Sequence, residues 1–250
     1  MMPRMADLLF ADDYLASLYD VWHPRDTRVD YDFYLPHIMS ASAALDVGCG
    51  DGTLLHDARR RGHSGRLCGL DPAPGMLERA RQSEDIEWVL GDLQSASWAG
   101  EFDLAVKTGH AFQAVVSDKD LRASMAAVRR LLVAGGTFAF ETRNPRVRAW
   151  ERWKPENAVT VIGPDGVPVR ITTTVVAPFD GRTVSFTHTF TGDHASLPQI
   201  SRSTLRFLDL DALEALLHDA DLSVVQRFGD FDGAPLRDDS PEIIIIAQAR

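Results

Sequence analysis

Two carboxylates around a run of glycines give the first chemical signal. Asp46-Val47-Gly48-Cys49-Gly50-Asp51-Gly52 follows the apolar Ala43-Ala44-Leu45, so a buried strand runs into a glycine-rich turn and then into a helix opening at Thr53. Glycine in such a turn lets a ligand come close to the backbone. Asp71 ends the next apolar run about 20 residues on, where an acidic side chain holds two ribose hydroxyls. Together they imply a nucleoside ligand. A second signal is His110, just after the apolar run Phe102–Lys107, at the edge of the crevice where open α/β sheets bind ligands. Imidazoles titrate near neutrality, so His110 is read as taking a proton from a bound acceptor or orienting it; packing over the ligand is the other reading.

The elements that hold these residues are short apolar runs alternating with helical patterns. Strands are expected at Ala43–Val47, Arg66–Leu70, Ile86–Leu90, Phe102–Lys107 and Thr137–Thr142. Helices are expected at Thr53–Arg61, Pro74–Arg81 and Asp120–Val133, the last stopped by Gly135-Gly136. This alternation is the pattern of a parallel sheet covered on both faces. From Ala158 to Leu208 the period becomes two, with Asp180-Gly181 and Gly163-Pro164-Asp165-Gly166 as hairpin turns, so an antiparallel insertion is expected. Helical spacing returns at Leu210, Leu213, Leu216 and Leu217, and Leu222–Phe228 and Glu242–Ala247 read as final strands, with Ile243–Ile246 buried on both faces.

Composition sets the limits. The chain has 250 residues, 45% of them hydrophobic and 25% charged, as a globular protein with a real core requires. No apolar run approaches the roughly 20 residues of a membrane span, and Arg4, Asp7, Asp12 and Asp13 interrupt the N-terminus; a cytoplasmic location without membrane contact is expected. Cys49 and Cys68 sit in apolar stretches, so neither a disulfide framework nor a metal site is expected. With 26 Lys and Arg against 36 Asp and Glu, the net charge of −10 disfavours a nucleic-acid partner, and Arg59-Arg60-Arg61 reads as a solvated helix end.

The ligand can be narrowed further. Gly52 is the third glycine and Thr53 stands where a dinucleotide fingerprint has Gly or Ala. Asp46 would repel a pyrophosphate, whereas it suits the ammonium and sulfonium of S-adenosylmethionine. The chain resembles the class I S-adenosylmethionine-dependent methyltransferases through Leu45-Asp46-Val47-Gly48-Cys49-Gly50, Leu70-Asp71-Pro72, Met76-Leu77, Gly91-Asp92-Leu93, Phe102-Asp103-Leu104 and Leu131 to Gly136. The resemblance covers residues from about 43 to 142 and 205 to 248. A narrower resemblance, to a bacterial group of small methyltransferases that does not fix a substrate, rests on Lys107-Thr108-Gly109-His110-Ala111-Phe112-Gln113, Thr142-Arg143-Asn144-Pro145 and Gly229 to Gly233.

The resemblance implies a Rossmann-like, doubly wound, seven-stranded, mostly parallel sheet with the antiparallel insertion after its fifth strand. Residues 43–150 and 207–250 are expected to form the core and 151–206 the insertion on the acceptor side; residues 1–42, through Tyr14, Tyr19, Tyr31 and Phe33, read as a helical lid over the cofactor, with plain packing as the alternative. The loop Gly48, Cys49, Gly50 would hold the methionine moiety of S-adenosylmethionine, with Asp46 beside it, Asp71 and Pro72 at the ribose, and Gly91, Asp92 and Leu93 at the adenine. Met76 would pack near the adenine, and Lys107, Thr108 and Tyr19 would complete the cofactor site. Judged by residue type alone, Asp92 reads equally as a cap, Met76 as core, and Cys49 as a small filler with no base to activate it.

Tyr14, Phe112, Arg143, Asn144, Trp150 and Trp153 are expected, with His110, to face a small-molecule acceptor. For the tyrosines and tryptophans plain packing is the alternative, and for Arg143 a pair with Glu141 or solvent. Expected, then, is methyl transfer to a small molecule, with S-adenosylhomocysteine as product and a homodimer through the insertion's strand edges. The alternatives are a non-catalytic adenosyl-ligand binder and an NAD-dependent oxidoreductase.

Overall fold

The computed structural model describes residues 7–250; Met1 to Ala6, the start of the expected lid segment, lie outside the described residues. Three helices come first: α1 (Leu8–Ala11), α2 (Asp13–Trp22) and α3 (Val29–Ser40). Alternation of strand and helix then begins with β1 (Ala43–Val47), α4 (Thr53–Arg60), β2 (Arg66–Asp71), α5 (Pro74–Ala80) and β3 (Glu87–Leu90). It continues through β4 (Phe102–Lys107), α6 (Asp118–Leu131) and β5 (Leu132–Arg143). Strands β6 (Val159–Ile162), β7 (Pro168–Ala177), β8 (Thr183–Gly192) and β9 (Gln199–Arg206) follow, then α7 (Leu210–His218), β10 (Leu222–Phe228) and β11 (Glu242–Ala249).

Local chemistry explains the helix bounds. Ser117 accepts from the Asp120 N–H to cap α6, Asp209 caps α7 at Ala212, and Asp12 caps α2 at Leu15. Leu121, Met125, Val128 and Leu131 then form the buried stripe of α6. The glycine pair after α6 behaves differently from the expected helix stop. α6 ends one residue before β5, and Gly135-Gly136 lie inside β5, where the pairing with β4 jumps from Phe102–Leu132 to Leu104–Thr137. Gly135, at φ +79°, takes the left-handed backbone of that irregularity.

The larger sheet runs β10-β11-β5-β4-β1-β2-β3, with β1 to β5 parallel and β11 antiparallel to both β5 and β10. Chain order reverses between β1 and β4, which places a ligand crevice outside their carboxyl ends. Ile243 and Ile245 pack with α6 and α7 on one face, while Ile244 and Ile246 pack with Tyr31, Tyr34 and Leu54 on the other. Both faces are covered, as the uninterrupted isoleucine run requires.

The antiparallel sheet β6-β7-β8-β9 presents one apolar face. Val169, Ile171 and Phe190 pack on Leu9, Leu15 and Leu18 of the first two helices, and Val184 packs with Trp150 and Phe207. The insertion and the N-terminal helices therefore make one roof. Burying six large apolar side chains at this seam contributes about 1.5–3 kcal/mol each. Among the described residues no helix is long and apolar enough to cross a membrane.

Candidate functional site

The glycine turn is fixed by its neighbour strand: the Gly48 and Cys49 N–H groups donate to the Leu70 carbonyl at 2.7 and 3.2 Å. Asp71 then buttresses it, accepting from the Gly50 N–H at 2.9 Å and from the Ala73 N–H at 2.8 Å. Each Asp71 oxygen keeps a lone pair for a ligand hydroxyl. Gly48 and Gly50 have φ of +81° and +56°, and a Cβ on Gly50 would stand 3.2 Å from Met76 Cε. The loop is thus both left-handed and closely approached, which selects glycine.

Asp46 is 1% exposed, and its Oδ1 has no hydrogen-bond partner. Burial, with the Asp71 charge adding to it, pushes the Asp46 carboxyl up to about 7. Lys107 is the cation beside this pair: its Nζ donates to the Val47 carbonyl at 3.4 Å, and burial pulls the amine below its ordinary value. A ligand carrying an ammonium fits the orphaned Asp46 oxygen, so the residues present suit an aminoacyl nucleoside. Thr108 is buried beside Lys107, and Tyr19, half-buried, packs with Met76 and Ala73.

Other expected cofactor residues have local duties. Asp92 Oδ1 accepts from the Gln94 and Ser95 N–H groups at 3.0 and 2.9 Å, an N-cap-like turn. Gly91 donates its N–H to the Asp71 carbonyl, Leu93 is in the core, and Pro72 is exposed. Cys49 packs against Leu77, Ala80 and Trp88, and burial raises its thiol well above the usual range, so it is the inert filler that its type predicts.

Next to the loop, a Cβ on Gly48 would lie 3.3 Å from the Ala111 side chain, so the segment carrying His110 closes on the glycine turn. The backbone of His110 is left-handed, at φ +60°, and its N–H donates to Glu141 Oε1 at 2.6 Å. The imidazole Nε2 stands 3.0 Å from both oxygens of Glu242. Glu141 is fully buried and also accepts from the Tyr34 hydroxyl at 2.6 Å. With Nε2–H on this carboxylate, Nδ1 is the ring nitrogen free to accept a hydrogen bond.

The structure sorts the expected acceptor residues. Arg143 and Trp153 come together, and His110 is tied to the same corner through Glu242, which lies opposite Arg143: the Arg143 guanidinium sits 5.7 Å from the centre of the Trp153 ring and donates to Gln113 Oε1 at 2.9 Å. It does not pair with Glu141, which is taken by Tyr34 and the His110 backbone.

Four residues are not brought to the crevice. Phe112 is core, stacked on Phe140 with ring centres 4.4 Å apart. Asn144 is a buried staple that donates to the Asp238 and Ser240 carbonyls at 3.1 and 2.9 Å. Trp150 lies beneath the inserted sheet against Phe179 and Phe207. Tyr14 stacks on His194, with ring centres 3.7 Å apart, at the outer seam between the N-terminal helices and the insertion. Each packs where two elements join, so its burial follows from the fold.

Several site residues escape sequence reasoning: Tyr34, Gln113, Glu141, Glu242, Arg28, His23 and His188. Glu242 had a usable signal, an acid opening an otherwise apolar antiparallel strand whose first residue must lie where the parallel strands end. Arg28 stacks over Tyr31, 3.8 Å from the ring centre, and is held in two bonds by Asp30. His23 and His188 flank Trp22 on the roof, and burial pulls both imidazoles down to about 4.

Residues 44–136 match the family described as "Methyltransferase domain". Over 149 residues the chain is 34% identical to a 2-phytyl-1,4-naphtoquinone methyltransferase of Thermosynechococcus vestitus, covering 57% of this chain and 62% of that protein. It is 34% identical over 101 residues to a malonyl-[acyl-carrier protein] O-methyltransferase of Hahella chejuensis, covering 39% of this chain and 35% of that one. The chain thus spans less than two thirds of these relatives. Among solved structures, the CcbJ methyltransferase of Streptomyces caelestis superposes with a TM-score of 0.76 at 19% identity, over 96% of this chain and 98% of that one. A S-adenosylmethionine-dependent methyltransferase of Clostridium acetobutylicum gives 0.74 at 17% identity, over 94% and 97%. Residues 44–136 thus match a methyltransferase domain, and the described chain shares the fold of these solved methyltransferases.

Proposed function

We propose that the protein transfers a methyl group from S-adenosylmethionine to a small-molecule acceptor by in-line displacement, releasing S-adenosylhomocysteine. The observation that carries this reading is the buried, unpartnered Asp46 oxygen in a glycine turn that touches the His110 segment. The turn Gly48-Cys49-Gly50 would hold the methionine moiety, Asp46 its ammonium, and Lys107 or Arg28 its carboxylate. Asp71 would hold the ribose, with Pro72 at its edge. Met76, Gly91, Asp92 and Leu93 would surround the adenine, Asp92 through the oxygen not used in its turn.

The cofactor supplies an electrophilic methyl on a sulfonium. The chain's own residues must then align the acceptor, exclude water and take a proton. His110 Nδ1 accepts that proton while Glu242 holds Nε2, and the roof of N-terminal helices and insertion shuts out water. Residues up to 42 serve as the lid, and 151–206 as the acceptor side. A cytoplasmic location belongs to the same reading. So does a second copy docked at the open edge of β6, where Val159 and Ile162 are 40% and 58% exposed.

Calorimetry with S-adenosylmethionine, S-adenosylhomocysteine and NAD on wild type and Asp71→Ala tests the cofactor. Binding of both adenosyl ligands, lost in the variant, is expected. Tight NAD binding without adenosyl binding would overturn the proposal in favour of an oxidoreductase. Adenosyl binding with no turnover across an acceptor screen would favour a non-catalytic binder.

A further inference from the structure

Arg143 is a cation that makes no direct ion pair in a site rich in carboxylates, although Glu242 and Glu141 lie near enough for their charges to act on it. It stands directly across from Glu242 in the β5–β11 ladder and two residues from Glu141 on the same strand, so all three side chains lie on one face. Both acids are committed elsewhere, Glu242 to the His110 imidazole and Glu141 to Tyr34 and the His110 N–H. The guanidinium forms no ion pair among the described residues; its one side-chain acceptor is the neutral Gln113 amide at 2.9 Å. Burial pulls it below the usual arginine range even though the Glu242 and Glu141 charges act to raise it, the direction expected of a desolvated cation that is only partly compensated. Its neighbour Arg28, by contrast, has both ends of its fork on Asp30.

We propose that Arg143 binds a carboxylate on the acceptor, holding an aromatic acid between the Trp153 ring and His110. This rests on the methyltransferase reading. One planar guanidinium matches one carboxylate through a two-bond fork, and Trp153, itself against Phe186 with ring centres 4.6 Å apart, offers a flat apolar wall. The carboxylate of the cofactor is the rival anion, but it has a nearer cation. A Cβ on Gly48 would be 3.6 Å from Lys107 Nζ, whereas β5 is two strands away from the glycine turn.

The test uses 4-hydroxybenzoate as the acid probe and 4-hydroxybenzamide as its neutral counterpart. Each is titrated into the full chain with and without S-adenosylhomocysteine, for wild type, Arg143→Met and Arg143→Lys. Thermal melts confirm folding, and Arg143→Lys serves if Arg143→Met fails to fold. Wild type is expected to bind the acid at least about tenfold more tightly than the amide, and that preference is expected to vanish in Arg143→Met and shrink in Arg143→Lys. Equal binding of acid and amide by wild type, or no saturation by the acid, overturns the proposal. So does a tenfold loss of S-adenosylhomocysteine affinity in Arg143→Met, which would give Arg143 to the cofactor. If wild type binds no S-adenosylhomocysteine while the acid preference persists, the methyltransferase reading fails and the anion site stands.

Discussion

His110 and Glu242, 132 residues apart in the chain, meet with the imidazole Nε2 3.0 Å from both carboxylate oxygens. The contact fixes which ring nitrogen is free. If His110 is the base, His110→Ala lowers turnover by about 10²- to 10⁴-fold with acceptor saturating, and Glu242→Gln lowers it less while altering the pH–rate profile. S-adenosylhomocysteine affinity stays unchanged in both. Turnover of His110→Ala within a few fold of wild type removes the base role.

Asp46 links ligand binding to protons. Its folded-state value, about 7, lies above that of an unfolded aspartate, about 4. Its stabilising contribution in the ligand-free protein is therefore full below pH ~4 and is lost as pH rises through ~7. A cationic ligand favours the ionised carboxylate, so affinity for S-adenosylmethionine rises with pH over that window and binding near pH ~6 releases a proton. Calorimetry in two buffers of different ionisation enthalpy measures the release. Asp46→Asn is expected to abolish it, weaken binding, and raise the melting temperature of the ligand-free protein at pH ~8.

Tyr34→Phe removes the hydroxyl that donates to Glu141 at 2.6 Å in a fully buried place. The expected cost is about 1–3 kcal/mol of stability, read by denaturant titration. Because Glu141 also accepts from the His110 N–H, turnover should fall as well, while cofactor affinity holds.

Phe190→Ala empties the centre of the seam between insertion and N-terminal helices, where Phe190 is fully buried among Leu9, Leu15 and Leu18. A loss of about 3–5 kcal/mol is expected. Limited proteolysis should then cut within residues 13–22 before the parallel sheet is touched.

What could be read from sequence was what the local backbone dictates. The strand entering Gly48 and the acid ending β2 lie within one strand–helix–strand unit, whose spacing is short and stiff. Asp180-Gly181 and Gly163 to Gly166 marked their hairpins for the same reason. The pairing of His110 with Glu242 was harder to read: the acid at the start of β11 was visible, but it meets His110 only through the register of β11 on β5, a pairing across about 100 residues. Phe112 and Asn144 misled because a position near a strand end does not tell which way a side chain turns. Gly135-Gly136 looked like a helix stop because a left-handed glycine serves equally in a strand irregularity.

The roof has a consequence for the order in which the molecule is assembled. Leu9, Leu15 and Leu18 are made first, yet the residues that bury them, Val169, Ile171 and Phe190, are made about 150 residues later. During synthesis the leading helices must wait, apolar stripe uncovered, while the strands that carry the glycine turn are completed beneath them. The glycine-turn side of the crevice is thus formed before its cover is complete, and a nascent chain held at residue 150 should already contain the floor of the site but only the helical half of its ceiling.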